Sequence, residues 1–134
     1  MDMLEVLTVD FDTETLQYEA EIEFLEGKDG NFLEGLHKTI GCDWIDIVPY
    51  SEDYSVVIDD EGLLVSNNIV HEIALENGNR NGTVFEENTL QLAGKLIFVR
   101  NKITDEGVEI DSLKKSDTYY LMKTLKIKPI GITR

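Results

Sequence analysis

The fold of this chain is decided by the sequences LEGLHKTIGCDWIDIV, at residues 33–48, and SVVIDDEGLL, at residues 55–64. The first has leucine and isoleucine at helical spacing up to Gly41, a residue type that can close a helix in the left-handed conformation. Trp44–Val48 then favours a β-strand, and the apolar start of the second sequence favours another. Asp59–Gly62 is a strong turn signal. A helix, two strands and a turn are therefore predicted within this one region.

The segment before this region predicts an acidic hairpin. Residues 16–24 alternate apolar side chains with a glutamine and three glutamates, a period of two that is typical of a strand with one apolar face. Residues 4–11 suit a partner strand, with a turn at residues 12–14. The hairpin could therefore carry an acidic interaction surface, whose candidate residues are Asp10, Asp12, Glu14, Glu19, Glu21 and Glu23. The alternative is a solvated face whose charge prevents edge-to-edge aggregation.

Four further elements are predicted along the chain. Asn68–Leu75 has apolar residues at helical spacing and predicts a short helix. Leu90–Arg100 is the most apolar segment and predicts a central strand, with a bulge or close backbone approach at Gly94. Ser112–Leu125 predicts another helix, and Lys126–Ile132 alternates like an edge strand, where lysine and proline are common.

Together these elements predict an α+β fold, a curved and mainly antiparallel sheet with two or three short helices. The 134 residues fit a single domain. Residues 1–30 would extend the sheet as the acidic hairpin, and residues 31–134 would form the α+β core. With 42% hydrophobic and 29% charged residues, the composition is typical of a folded chain.

The charge of the chain is strongly asymmetric. Its formal net charge is −15, and residues 1–61 alone carry 18 acidic and two basic residues. Residues 112–134 carry six basic residues and one acidic residue. Such a surface repels nucleic acid and anionic membranes, so neither is an expected partner, and a basic protein is favoured instead. The basic C-terminal segment could pair with the acidic half of a second copy, which predicts a homo-oligomer.

Cysteine content and hydropathy indicate the compartment. Cys42 is the only cysteine, so no disulfide can form within the chain and a reducing environment is expected. The N-terminal residues lack the basic start and apolar core of a signal peptide. No apolar run approaches the roughly 20 residues of a transmembrane helix. A cytoplasmic location is predicted, in the host cell if the gene belongs to a phage.

Four segments resemble one family. IGCDWIDIV at residues 40–48, DDEGLL at 59–64, LAGKLIFV at 92–99 and SLKKSD at 112–117 resemble the uncharacterised family known as domain of unknown function 3846. The resemblance extends over residues 33–125. It implies a phage, plasmid or conjugative element as the source, where such proteins accompany accessory and defence-related genes, and it implies no known activity.

A second candidate site surrounds an asparagine-rich loop at residues 77–82. Asparagine and glycine permit backbone turns that direct N–H groups at an anion, and the Arg80 guanidinium suits phosphate. This loop could cradle a phosphorylated ligand together with residues on the preceding predicted helix, where His71 is expected on the helix surface. A flexible surface loop is the alternative. The candidate ligand residues are Asn67, Asn68, His71, Asn79, Arg80 and Asn81.

No catalytic residue, metal site or cofactor is predicted. His71 and Glu72 lack the second histidine of a zinc-protease helix, and no basic residue near Cys42 would lower its thiol pKa. The chain is therefore predicted not to be an enzyme. One hypothesis is a counter-defence protein of a phage or mobile element that sequesters a host signal nucleotide. The alternative is an acidic DNA mimic that inhibits a restriction enzyme or nuclease by blocking its basic surface.

Overall fold

The computed structural model describes residues 2–75 and 89–134. The strands in these ranges are β1 (Asp2–Asp12), β2 (Gln17–Gly27), β3 (Ile45–Pro49), β4 (Tyr54–Asp59), β5 (Ile69–Ala74), β6 (Thr89–Ala93), β7 (Leu96–Thr104), β8 (Gly107–Asp111) and β9 (Ile127–Ile132). The helices are α1 (Leu33–Ile40) and α2 (Lys115–Thr124). Neither helix of the described ranges is long and apolar enough to cross a membrane.

Two antiparallel sheets contain these strands. The larger sheet has the order β2-β1-β7-β4-β3, with β8 also paired to β7, and the smaller sheet has the order β6-β5-β9. The strand pairs between the described elements are all antiparallel. The predicted α+β class is therefore confirmed, with the strands divided between two sheets.

The larger sheet is covered on both faces. Residues 96–99 of β7 are all buried, and because side chains alternate across a strand, each face must meet an apolar layer. On one face, Ile97 belongs to the same buried cluster as Leu36 of α1. On the other face, Phe98 clusters with Leu121 of α2 and with residues of the smaller sheet. The molecule thus has α1 on one side of the larger sheet, and the smaller sheet and α2 on the other.

The predicted hairpin is confirmed as β1 and β2. The two strands pair from Asp2 opposite Gly27 to Asp12 opposite Gln17. β1 also pairs with β7 in the middle of the sheet. It supplies the buried core residues Leu4, Val6, Leu7 and Val9. The acidic residues are therefore carried by an element that is anchored in the core.

The helix predicted over Asn68–Leu75 is wrong, because this segment forms β5. Its apolar residues fit both a helical and a strand period, and Ile69, Val70 and Ile73 are β-branched, which favours a strand. Pairing with β6 on one side and β9 on the other decides the outcome. Propensity and tertiary pairing agree here, whereas the spacing alone is ambiguous.

The single strand predicted over Leu90–Arg100 is also wrong, because the chain divides at Gly94 into β6 and β7. Gly94 has φ +86°, a left-handed conformation that side chains rarely adopt. Its N–H donates to the carbonyl of Ile69 at 2.9 Å, on the neighbouring strand β5. The glycine is therefore the corner at which the chain passes from the smaller sheet to the larger one.

The predictions for the C-terminal region are confirmed. The predicted helix over Ser112–Leu125 contains α2, and the predicted strand over Lys126–Ile132 contains β9. β9 lies at the edge of the smaller sheet, as its lysines and Pro129 indicate.

Candidate interaction site on the acidic hairpin

The pairing of β1 with β2 brings acidic residues into two adjacent rows. Asp10 lies directly opposite Glu19, and Glu21 is the next residue of β2 on the same face. All three side chains are exposed. Opposed residues on antiparallel strands are roughly 5 Å apart, and residues two apart on one strand are separated by roughly 7 Å. This register forms a compact acidic face at the turn end of the hairpin, defined by Asp10, Glu19 and Glu21 and referred to below as the acidic face.

The turn adds two more carboxylates beside the acidic face. Asp12 Oδ1 accepts the backbone N–H groups of Glu14 at 2.8 Å and Thr15 at 3.3 Å. These hydrogen bonds lower the pKa of Asp12, since they stabilise its charged form. The charge of Asp12 is in turn the main cause that raises the pKa of Glu19, with smaller contributions from Glu21 and Asp10. The repulsion among these carboxylates is thus the main reason why the pKa of Glu19 is raised.

No basic side chain of the described residues neutralises this face. The ion pairs among the described residues join Lys38 to Glu34 at 3.3 Å, Arg100 to Asp117 at 2.8 Å and Lys128 to Glu72 at 3.4 Å. Each of these acids lies outside the hairpin. Like charges placed opposite each other on neighbouring strands destabilise a sheet, so the hairpin keeps an arrangement that is unfavourable for folding by itself.

Glu23 differs from the other predicted members of the acidic surface. It lies opposite Val6, which is buried in the cluster beneath α1. The Glu23 side chain is accordingly half-buried, and its Oε2 has no hydrogen-bond partner among the described residues. Of the three glutamates predicted to share one face of β2, only Glu19 and Glu21 are fully open to a partner.

The predicted ligand site is only partly described by the structure. Asn79, Arg80 and Asn81 lie outside the described residues. Asn67 is exposed, and its backbone N–H donates to the carbonyl of Thr133 at 3.1 Å. The Asn68 side chain donates to the carbonyl of Gly62 at 2.9 Å, which leaves it engaged within the protein.

His71 is a buried residue, and its predicted position on a helix surface is wrong. Its Nε2 lies 2.8 Å from the carbonyl oxygen of Gly94, and its Nδ1 lies 2.8 Å from the hydroxyl of Tyr18. A carbonyl can only accept, so Nε2 carries the hydrogen and Tyr18 donates to Nδ1. Burial lowers the pKa of His71, which keeps the ring neutral, and raises the pKa of Tyr18 to about 12. The imidazole thus joins β2 of the larger sheet to the smaller sheet.

A polar cluster around Asp117 was not predicted from the sequence. Asp117 Oδ1 accepts the Tyr54 hydroxyl at 2.7 Å and the Arg100 guanidinium at 2.8 Å, and Oδ2 accepts the Lys114 N–H at 2.8 Å. Burial alone would raise the pKa of Asp117, but these donors outweigh it and hold the pKa below the ordinary value. An acidic residue three positions after the N-cap commonly accepts the N-cap N–H, as Asp117 does from Lys114. Its two side-chain partners lie on distant strands and leave no signal in the sequence.

Within the described residues, no group of three or more histidine, cysteine, aspartate or glutamate side chains is arranged to hold a metal ion. Comparisons of the chain with protein-family models, curated proteins and solved structures give no match. The resemblance to domain of unknown function 3846 therefore stays a prediction from the sequence.

Proposed function

We propose that this protein is a non-catalytic inhibitor that covers a basic, nucleic-acid-binding surface of another protein with its acidic face. One observation carries the proposal: Asp10 and Glu19 are held opposite each other with Glu21 beside them, and no described base pairs with them. A surface that retains repulsive, uncompensated charge is suited to a partner that supplies the opposite charge.

The spacing of the acidic face supports an imitation of nucleic acid. Duplex DNA carries one charge per ~1.7 Å of its axis when both strands are counted. Two neighbouring β-strands with a carboxylate at every second residue would provide one charge per ~3.4 Å, about half that density. Here Thr8 and Val6 lie opposite Glu21 and Glu23, so the charge density of the acidic face is lower still. The additional carboxylates of Asp12 and Glu14 at the turn raise the local density. A basic channel that binds phosphates would therefore meet a short cluster of closely spaced anions, less dense than the phosphates of DNA.

The position of the hairpin in the fold also supports this role. β1 pairs with β7 and is buried in both core clusters, so the acidic face is presented on a scaffold that does not have to become ordered on binding. Preorganisation of this kind preserves affinity, because less conformational entropy is lost in the complex. Long-range attraction between opposite charges would additionally increase the association rate.

The partner class follows from the chemistry. A basic groove that normally holds DNA is found in restriction enzymes and nucleases, and inhibition of such an enzyme would suit the phage or mobile-element source implied by the resemblance. We place this activity in the host cytoplasm.

Capture of a phosphorylated nucleotide stays a prediction from the sequence, as does a homo-oligomer. Three of the six predicted ligand residues lie outside the described ranges, and two of the others hydrogen-bond within the protein.

DNA displacement tests the proposal. A labelled duplex is first bound by proteins of a bacterial extract, and its release on addition of the purified protein is followed by gel mobility. The triple variant Asp10→Asn, Glu19→Gln, Glu21→Gln should displace DNA about tenfold less effectively or worse, because three charges of the acidic face are removed.

A matched control changes the same number of charges elsewhere. Asp60→Asn, Glu61→Gln, Glu106→Gln alters three exposed acids outside the hairpin and should displace DNA as well as the unmodified protein does. No displacement by the unmodified protein, or equal displacement by both triple variants, would rule out the acidic face as the inhibitory surface.

A further inference from the structure

We infer that the outer edge of β2 binds an extended segment of the partner protein as an additional strand, and that this segment alternates basic and apolar residues. The inference rests on the proposed function for the basic character of the partner, and it adds how that partner is held. β2 lies at the end of the larger sheet, and no strand of the described residues pairs with its outer side.

Hydrogen bonds at Glu5 show which backbone groups face this edge. The Glu5 N–H donates to Ser112 Oγ at 2.7 Å, and the Glu5 carbonyl accepts the Leu113 N–H at 2.9 Å. The backbone of Glu5 therefore points away from β2. Bonded and non-bonded pairs alternate along an antiparallel ladder, so the even-numbered residues of β1 bond to β2. Their partners are the odd-numbered residues of β2, and the outward backbone groups belong to Tyr18, Ala20, Ile22 and Phe24.

The side chains along this edge differ between its two faces. Glu19 and Glu21 lie on one face, whereas Ala20, Ile22 and Phe24 lie on the other. Ile22 is 49% exposed and Phe24 58% exposed. Proteins commonly protect a long edge with charged side chains, proline or a bulge; β2 has no lysine, proline or bulge over its 11 residues, so its glutamates are its protection. A strand with basic side chains would neutralise that protection, whereas other strands would not. An added strand would find backbone partners, an apolar surface and an anionic surface together.

The side chains of β2 also determine which kind of strand can bind to its outer edge. A second copy pairing through its own β2 would bring glutamates of both chains together on one face, or oppose them to apolar residues, and both arrangements are unfavourable. A strand that alternates basic with apolar residues instead meets Glu19 and Glu21 on one face, and Ile22 and Phe24 on the other. Charge complementarity therefore favours a basic partner over self-association through β2.

The basic strand β9 of a second copy is a weaker candidate. The Ala74 N–H donates to the carbonyl of Lys126, so Lys126 bonds toward β5, and by alternation Lys128 does too. The backbone groups of Ile127 and Pro129 then face the outer edge of β9, and Pro129 has no N–H to donate to a bound strand. A different protein with an uninterrupted basic strand fits the β2 edge better.

An open groove continues beside the end of β2. It has a volume of about 1350 Å³ and lies between residues 24–29 and the α1 residues 33–39. A Cβ atom added to Gly35 would lie 3.3 Å from Leu25 Cβ, so α1 packs closely on β2 at this point. Glu26 and Glu34 line the groove with Lys28 and Lys38, the last of which pairs with Glu34. The groove gives the bound segment space to extend past Phe24.

Hydrogen exchange with a defined peptide tests the inference on the unmodified protein. The probe is a capped octapeptide of alternating lysine and valine, and the control is a peptide of the same composition with four lysines followed by four valines. On binding the alternating peptide, exchange of the Ala20, Ile22 and Phe24 amides should slow about tenfold or more. The Glu19 and Glu21 amides, already bonded to β1, should change little. No binding, or no selective protection of the outward amides, overturns the inference.

A backbone variant provides a second measurement. Ala20→Pro removes one outward N–H, whereas Ala20→Val retains it and is equally compatible with a strand. We expect Ala20→Pro to bind the alternating peptide about tenfold more weakly and Ala20→Val to match the unmodified protein. Equal affinity for both peptides, or equal affinity of a folded Ala20→Pro and Ala20→Val, contradicts strand addition. DNA displacement by the acidic face would persist in that case, so failure of the inference is distinguishable from failure of the proposed function.

Discussion

His71 has a structural role, because its buried ring connects the two sheets through hydrogen bonds. Its two ring nitrogens are occupied by the Tyr18 hydroxyl and the Gly94 carbonyl, each at 2.8 Å. Because burial disfavours the charged ring, the pKa of His71 lies below its ordinary value. The unfolded chain therefore takes up this proton at a higher pH than the folded protein does.

This difference predicts a pH dependence of stability. The free energy of unfolding should be highest above the ordinary histidine pKa of about 6.5 and should fall as the pH drops toward the lower folded pKa. The slope from one group cannot exceed about 1.4 kcal/mol per pH unit. Urea unfolding between pH 7.5 and 5.5 should show this fall for the unmodified protein and a flatter curve for His71→Gln.

The other histidine provides the control for this measurement. His37→Gln leaves the contacts among Tyr18, His71 and Gly94 intact, and its curve should keep the slope of the unmodified protein. A slope that survives in His71→Gln would show that other groups cause the pH dependence.

Gly94 determines the path of the chain at the scale of elements. The apolar segment around it has the composition of one strand, yet the left-handed backbone at this glycine sends β6 and β7 into different sheets. A Cβ atom at this position would be only in ordinary contact with the Asn68 side chain, 3.5 Å away, so the backbone conformation is the main constraint. Any other residue would have to adopt φ +86°.

We therefore expect Gly94→Ala to lower the free energy of unfolding by about 1–2 kcal/mol. Gly131→Ala is the matched control, because Gly131 has no positive φ and no atom within 4 Å of an added Cβ. Its effect should stay within about 0.5 kcal/mol, as for most exposed positions. Chemical denaturation of the three proteins measures both values. Equal stability of the two variants would mean that the corner at Gly94 tolerates a side chain.

The same elements show how far local sequence determines the fold. Clean alternation in β2 predicts the hairpin, and the lysines and Pro129 of β9 predict an edge, because these signals lie within the strands themselves. The helix predicted for β5 is wrong because its apolar spacing fits both a helical and a strand period, and only pairing with β6 and β9 determines the outcome. The contact of Asp117 with Tyr54 and Arg100 joins residues far apart in the chain, so no local pattern could have predicted it.

The whole molecule combines an acidic surface on β1 and β2 with a hydrophobic core in which β1 is anchored. The composition predicts an acidic surface, but only the register shows that Asp10 faces Glu19 and that Glu23 turns partly inward. The chain thus places mutually repelling charges on β1 and β2, although β1 also supplies residues of the hydrophobic core. In our account this combination presents a fixed row of anions to a basic partner.

Site-specific cross-linking with DNA competition tests this claim most directly. Glu21→p-benzoylphenylalanine places a photoreactive group on the acidic face, and Glu106→p-benzoylphenylalanine places it on an exposed turn elsewhere. In a bacterial extract, the group at position 21 should form a cross-linked protein product that excess duplex DNA abolishes, whereas position 106 should not. Products at position 21 that persist in saturating DNA, or equal products at both positions, would contradict the account.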